Sequence, residues 1–183
     1  CLFYFTAIVD LHELKLLLND LTMNDRELTH FVSKRDCCMS FVEWSSKYDT
    51  GVELIDADHQ TLFATINMIH DRAEEGLDAD IIGRAITVLT MYVDRHFARE
   101  EALMDVHGYP DLVSHIAIHR RISEKVHGFQ TAFAENPDTI STEPFLKFLR
   151  EWLTEHILKC DMDYLPYVSS KPDTGDFVNI VSR

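Results

Sequence analysis

Glycine and proline are scarce, six and five in 183 residues. So few chain-reversing residues exclude a turn-rich β architecture and favour a small number of long helices. Clustered cations are missing too. Lys and Arg total 17 against 31 Asp and Glu, with a formal charge of −14 and a pI near 5.0, which argues against nucleic acid or an anionic membrane surface as partner. No apolar run approaches the ~20 residues that span a bilayer, and no signal peptide is visible. The four cysteines, Cys1, Cys37, Cys38 and Cys160, show neither CxxC zinc spacing nor a small secreted framework. Reduced thiols in a cytoplasmic compartment are the expectation, with Cys160 an inert, buried small hydrophobe. There is no initiating methionine, and a chain that opens on Cys1 reads as a piece of something longer. What is present, 46% apolar and 26% charged residues, suits one well-buried domain with a smaller appendage.

Three stretches are expected. Residues 1–40 read as the end of an upstream domain followed by a linker: 2–9, aromatic and β-branched, as a strand, and 11–28 as an amphipathic helix. The run YFTAIVDLHELK at 4–15 resembles the end of a PAS sensory domain, with Asp10, Glu13 and Lys15 as its signature and Leu11–His12 in place of the more usual Ile-Thr. Residues 41–167 read as a helical bundle and 168–183 as a polar C-terminal tail. Within the bundle, 41–55 hold Trp44, Tyr48 and Gly51 with little helical period, which suits an extended arm. Helices follow over about 56–75, closed by Gly76, and 78–107, broken by Gly108, Tyr109 and Pro110. Two more cover about 111–135 and, with Pro144 tolerated in the first turn, the stretch from after Thr142 to about Tyr164. Four helices with one apolar face each and short loops imply an all-α fold. It is an antiparallel up-down-up-down four-helix bundle with an N-terminal extended arm and a preceding linker helix.

On the apolar faces stand His59, His96 with Glu100, His115 with His119, and His156 with Asp161. Residues four apart share a helix face with Cβ atoms about 5–6 Å apart, so one ion can be reached from either of the first two pairs. A single HxxxH or HxxxE is ordinarily two polar residues on a helix surface. Recurrence on four helices, always on the apolar stripe, is what points to metal, because a buried cluster of ionisable groups without one is costly to desolvate. Neutral imidazole suits zinc, copper, iron or nickel, and carboxylates can bridge two cations. If His115, His119 and His156 hold one ion, His59 and His96 the other, and Glu100, Asp161 and a solvent-derived oxygen bridge them, the second ion keeps an open position for a small ligand. His156 and Asp161 are five apart, about 140° round an ideal helix. That spacing predicts a π-type turn between them.

Four motifs carry a resemblance: EW...Y..GVELIDADHQTLFATIN around His59, HFAREEALM around His96 and Glu100, GYPD..SHIAIH through His115 and His119, and FLREWLTEHILKCD through His156 and Asp161. Over roughly 41–167 the chain resembles the bacterial hemerythrins, which are non-haem di-iron oxygen-binding proteins. The resemblance implies two iron ions with an oxo or hydroxo bridge, Glu100 and Asp161 as bridging carboxylates, and dioxygen bound at the iron held by His59 and His96. An apolar pocket should admit the gas, with Trp152, Leu153, Ile157, Phe97 and Leu103 as candidate linings. Tyr92 is placed to donate a hydrogen bond near the site, and Glu101 reads as solvated. His12, His30, His70, His107 and His127 read as non-ligating; His70 lies about 16 Å along the axis from His59.

The leading functional expectation is reversible dioxygen binding in a sensing module that reports oxygen or redox state to a signalling partner through the N-terminal helix. A di-iron oxidase, peroxidase or nitric oxide reductase is the enzymatic alternative. It is disfavoured because di-iron oxygenase bundles typically use a more carboxylate-rich set than five imidazoles and two carboxylates. A free-standing oxygen carrier or an iron store completes the set. A purely structural metal is disfavoured by the open coordination position.

Overall fold

A computed structural model describes residues 40–76 and 79–168. The strand and linker helix expected within 2–28, the PAS-like run and the tail beyond 168 lie outside the described residues. Those described form helices without a strand: α1 (Glu53–Glu74), α2 (Ala79–His107), α3 (Leu112–Glu135), α4 (Glu143–His156), a π segment (Ile157–Asp161) and α5 (Met162–Val168). The π segment and α5 continue α4, so the bundle has four helical rods joined by short loops, in the expected up-down-up-down order. Pro166 lies inside α5, and the last helix therefore runs slightly past the point where the sequence suggested a tail.

Local chemistry sets the ends. α1 starts three residues before Asp56, whose carboxylate reaches back one turn to accept from the Thr50 amide and hydroxyl at 2.7 Å each and from the Gly51 amide at 3.1 Å. An acidic group here also faces the positive end of the helix dipole. At the other end, Gly76 follows the C-cap with φ 66°, a left-handed conformation that costs glycine little and other residues more. Pro144 enters α4 in its first turn, where its missing N–H costs nothing.

Residues 40–52 form the arm, with a single 3-10 turn at Ser46–Tyr48. The Asn67 side chain on α1 clamps it, accepting from the Val42 amide and donating to the Val42 carbonyl, both at 2.9 Å. Phe41 stacks on His70 with ring centroids 4.5 Å apart, and Trp44 packs edge-on against Phe63.

Two apolar clusters make up the core. The larger contains Leu62, Ile66, Leu89, Val93, Leu149 and Leu153, all without exposed surface, and the smaller contains Ile55, Leu103, Met104, Tyr164 and Val168. Full burial of such a side chain contributes about 1.5–3 kcal/mol. Along three of the four rods, a polar buried residue separates the two: Ile55, then His59, then Leu62 on α1; Phe97, then Glu100, then Leu103 on α2; Ile157, then Asp161, then Tyr164 on the last. The bundle thus carries one buried polar layer between two apolar ones.

Candidate metal centre

That layer contains all seven residues singled out by spacing. Two groups of side chains can each converge on an ion: Glu100, His115, His119, His156 and Asp161 in one, His59, His96 and Glu100 in the other. His115 Nε2 lies 2.9 Å from His119 Nε2, which lies 3.1 Å from His156 Nε2. Nitrogens about 2.1 Å from one cation and at right angles to one another are about 3.0 Å apart. Asp161 spans both groups, with Oδ1 3.1 Å from His156 Nε2 and 3.5 Å from His115 Nε2, and Oδ2 3.4 Å from His59 Nε2. Glu100 does likewise, its Oε2 lying 3.4 Å from both His96 Nε2 and His119 Nε2. The predicted π turn is present at Ile157–Asp161. Its extra residue per turn brings Asp161 onto the face of His156, which a regular α-helix would not.

The electrostatics favour cations here. Burial opposes charge on Glu100, and so does Asp161, yet the surrounding histidines, His96 foremost, hold its carboxyl at about 2. Asp161 lies well below the ordinary carboxylate range because, against its burial, His156 and His59 face it. Burial works to lower His156 as well, but the Asp161 charge, 3.1 Å away, pushes it up to about 10. Burial and the neighbouring His119 together push His115 down to about 4, since three converging rings cannot all carry a proton. Both ring nitrogens of His59 and of His96, Glu100 Oε2 and both oxygens of Asp161 are buried without a hydrogen-bond partner. Such orphaned groups are costly unless something compensates them, and a pair of cations fits this donor set.

Around the layer stand further groups, of which the sequence places only Tyr92 as a donor near the site. Tyr164 Oη donates to Glu100 Oε1 at 2.7 Å; burial and the Glu100 charge push its hydroxyl well above the ordinary range, so it stays a donor. Asp58, fully buried, accepts from Arg99 Nη1 and, at 3.1 Å, from Tyr92 Oη, and its other oxygen lies 3.6 Å from His96 Nδ1. Against its burial, His96 and Arg99 hold the Asp58 carboxyl below its usual value. Asp58 and Arg99 did carry a signal: Asp58 is four residues before Leu62 and Arg99 three after His96, both in phase with the buried stripe. Glu101 is not simply solvated, as its sequence context suggested. Its Oε1 lies 2.9 Å from His119 Nδ1, and its side chain is 30% exposed.

Phe97, Trp152, Leu153 and Ile157 all pack in the larger apolar cluster, while Leu103 belongs to the smaller one on the opposite side of the layer. Phe97 stacks on His119 with centroids 3.8 Å apart and meets Trp152 edge-on. Cys160, expected to be buried, is a free, partly exposed thiol at the rim of the widened turn. Among the histidines set aside, His127 pairs with Asp94 at 2.7 Å on the surface, and His107 contacts the Leu103 carbonyl at 2.8 Å.

Residues 50–168 match the Hemerythrin HHE cation binding domain. The chain belongs to the hemerythrin family. It is 32% identical over 133 residues to a bacteriohemerythrin of Methylococcus capsulatus, covering 72% of this chain and all of that protein. It is 26% identical to a myohemerythrin of Theromyzon tessulatum over 122 residues, 67% of this chain and 89% of the relative. A crystal structure of wild-type hemerythrin superposes with a TM-score of 0.66 at 32% identity, covering 70% of this chain and 98% of that one. Membership brings the cofactor with it: hemerythrins carry a di-iron centre that binds oxygen, and this chain has the His, Glu and Asp cluster to hold it. Among the described residues, no helix is long and apolar enough to cross a membrane.

Proposed function

We propose that this chain binds dioxygen reversibly, with His115, His119 and His156 holding one iron, His59 and His96 the other, and Glu100 and Asp161 shared between them, and that it serves as an oxygen- or redox-sensing module. Two ferrous ions would supply the two electrons that dioxygen takes up on binding and hands back on release. The observation that carries the reading is the unequal division of one buried donor set, three imidazoles at one end and two at the other, with both carboxylates placed between. The shorter end supplies fewer donors, which would leave a coordination position there for one exogenous ligand. Phe97, 5.6 Å from the ring of His96 and stacked on His119, brings the apolar cluster that also holds Trp152, Leu153 and Ile157 up to both ends, and such a lining would exclude water and accept a small neutral gas. Tyr164 keeps one oxygen of Glu100 occupied as an acceptor and so orients it. The imidazole-rich donor set and the absence of a second carboxylate pair in it support binding over oxygenase turnover.

Sensing is supported by the arm, which connects the residues before 40 to α1 and places Trp44 6.3 Å from the ring of His59. A change at that end of the centre would bias the arm between arrangements only through contacts of this kind.

Anaerobic loading with ferrous iron, iron counting, and optical spectra through cycles of oxygen admission and removal test the reading. Two irons per chain and a reversible charge-transfer band are expected. Irreversible oxidation with sustained substrate turnover would replace binding by an oxidoreductase role. Hydrogen exchange of the 40–52 amides should differ between deoxygenated and oxygenated protein, and identical exchange would remove the sensing part.

A further inference from the structure

His119 is held from outside by a group that the di-iron reading leaves without a role. Its Nε2 faces the interior, 3.4 Å from Glu100 Oε2, and its Nδ1 faces outward, 2.9 Å from Glu101 Oε1. Phe97, stacked at 3.8 Å and 9° from parallel, fixes the plane of the ring. An imidazole that gives the Nε2 lone pair to a cation carries its proton on Nδ1, so Nδ1 must donate and the Glu101 carboxylate accepts. The Glu101 side chain lies outside the buried layer. It lines a surface groove of about 410 Å³ with Asp94, Arg120, Ser123, Glu124 and His127.

We propose that Glu101 is a positioning residue of the metal centre. It fixes His119 as the Nδ1–H tautomer and, by drawing on that proton, makes Nε2 a stronger donor, which favours the ferric state of the ion that His119 shares with His115 and His156. The inference rests on the di-iron reading. Its reasoning is the general one that a carboxylate behind a ligating histidine raises ligand basicity, and that removing such a partner costs about 10–100-fold in metal affinity or activity. The groove gives this particular carboxylate a solvent-facing side, which Asp58 lacks.

The test compares Glu101→Gln, Glu101→Ala and Glu124→Gln in the full chain. Glu124 lines the same groove and carries the same charge, so its variant reports the through-space effect of losing one anion. Glu101→Gln should raise the midpoint potential; a tenfold loss of ferric over ferrous preference corresponds to about 59 mV for one electron. Glu124→Gln should leave the potential near that of the unaltered protein. In zinc-loaded protein, the Nδ1–H proton of His119 should give a downfield NMR signal that Glu101→Ala loses, together with a 10–100-fold weaker zinc affinity. Circular dichroism establishes that each variant is folded, and Glu101→Ala supplies the answer if Glu101→Gln is not. Equal shifts in Glu101→Gln and Glu124→Gln, or an Nδ1–H signal and zinc affinity unaffected by Glu101→Ala, would overturn the proposal while leaving the di-iron reading intact. An unaltered protein that fails to take up two irons would overturn both.

Discussion

The two ends of the centre are built from the same residue types in opposite surroundings. At the His59 and His96 end every ring nitrogen is buried, the carboxylate behind His96 is tied to Arg99 and Tyr92 in the interior, and the arm lays Trp44 against His59. At the other end three imidazoles converge, and His119 leans on a carboxylate that a solvent groove reaches. Imidazole identity therefore does not settle what an end can do. The well-supplied end is suited to holding an ion firmly. The sealed end is one donor short and bordered by apolar side chains, which is the combination a small neutral ligand requires.

The sharpest way to break this contrast is to remove one imidazole from each end. His119→Ala leaves that ion two imidazoles beside the shared carboxylates and opens the layer toward the groove, so both irons should be lost on gel filtration. His59→Ala should retain about one iron per chain. Equal metal counts in the two variants would show that the ends do not differ in hold. Next in size is Asp58→Asn, which takes the carboxylate from a guanidinium only 7% exposed at its side chain. Breaking a buried charge pair costs about 3–5 kcal/mol, and urea unfolding of the metal-free variant should show a loss of at least about 3. A value under 1 would mean that water reaches the pair after all.

A smaller effect per unit concerns pH. With no metal bound, His156 is held protonated up to about 10, and a protonated ring has no lone pair to offer. Protons therefore compete with the metal below that value: affinity should rise with pH by about one decade, 1.4 kcal/mol, per unit for each proton displaced, and level off near 10. Zinc isotherms between about pH 6 and 8 check the sign, and a flat profile would remove His156 as the competing site.

The four rods were legible from the 3.6-residue recurrence of apolar positions, and the buried layer from histidines in phase with it. The π turn followed from a spacing of five on a face where four would have served. Boundaries were less legible. The sequence suggests a start near Asp56, whereas α1 begins at Glu53 and Asp56, still in its first turn, folds the preceding loop back onto itself. The outer groups were hidden for a different reason. Asp58 and Arg99 are 41 residues apart in sequence, and Tyr92 and Asp58 34 apart, so their pairing exists only once α1 and α2 pack. Glu101, beside a buried neighbour, is turned toward His119 by the packing of α2 on α3, 18 residues along the chain. Charged residues in a sequence look solvated until a second helix supplies the partner.

The arm tests whether the sealed end is sealed by packing or by a clamp. Asn67 satisfies both the amide and the carbonyl of Val42, as a neighbouring strand would, and Val42 is 5% exposed. Asn67→Ala removes both bonds. Because the freed backbone can turn to water as the arm loosens, the loss of stability should be about 1 kcal/mol, no more than one net hydrogen bond. The kinetic effect is the more telling one. If the arm with Trp44 closes the His59 end, azide or dioxygen should enter and leave faster in Asn67→Ala while the Nδ1–H environment of His119 stays as it was. Stopped-flow rates that match the unaltered protein would mean that Trp44, Tyr48 and Phe63 hold the cover down by aromatic packing alone. The difference between the two ends would then belong to the core and not to the arm.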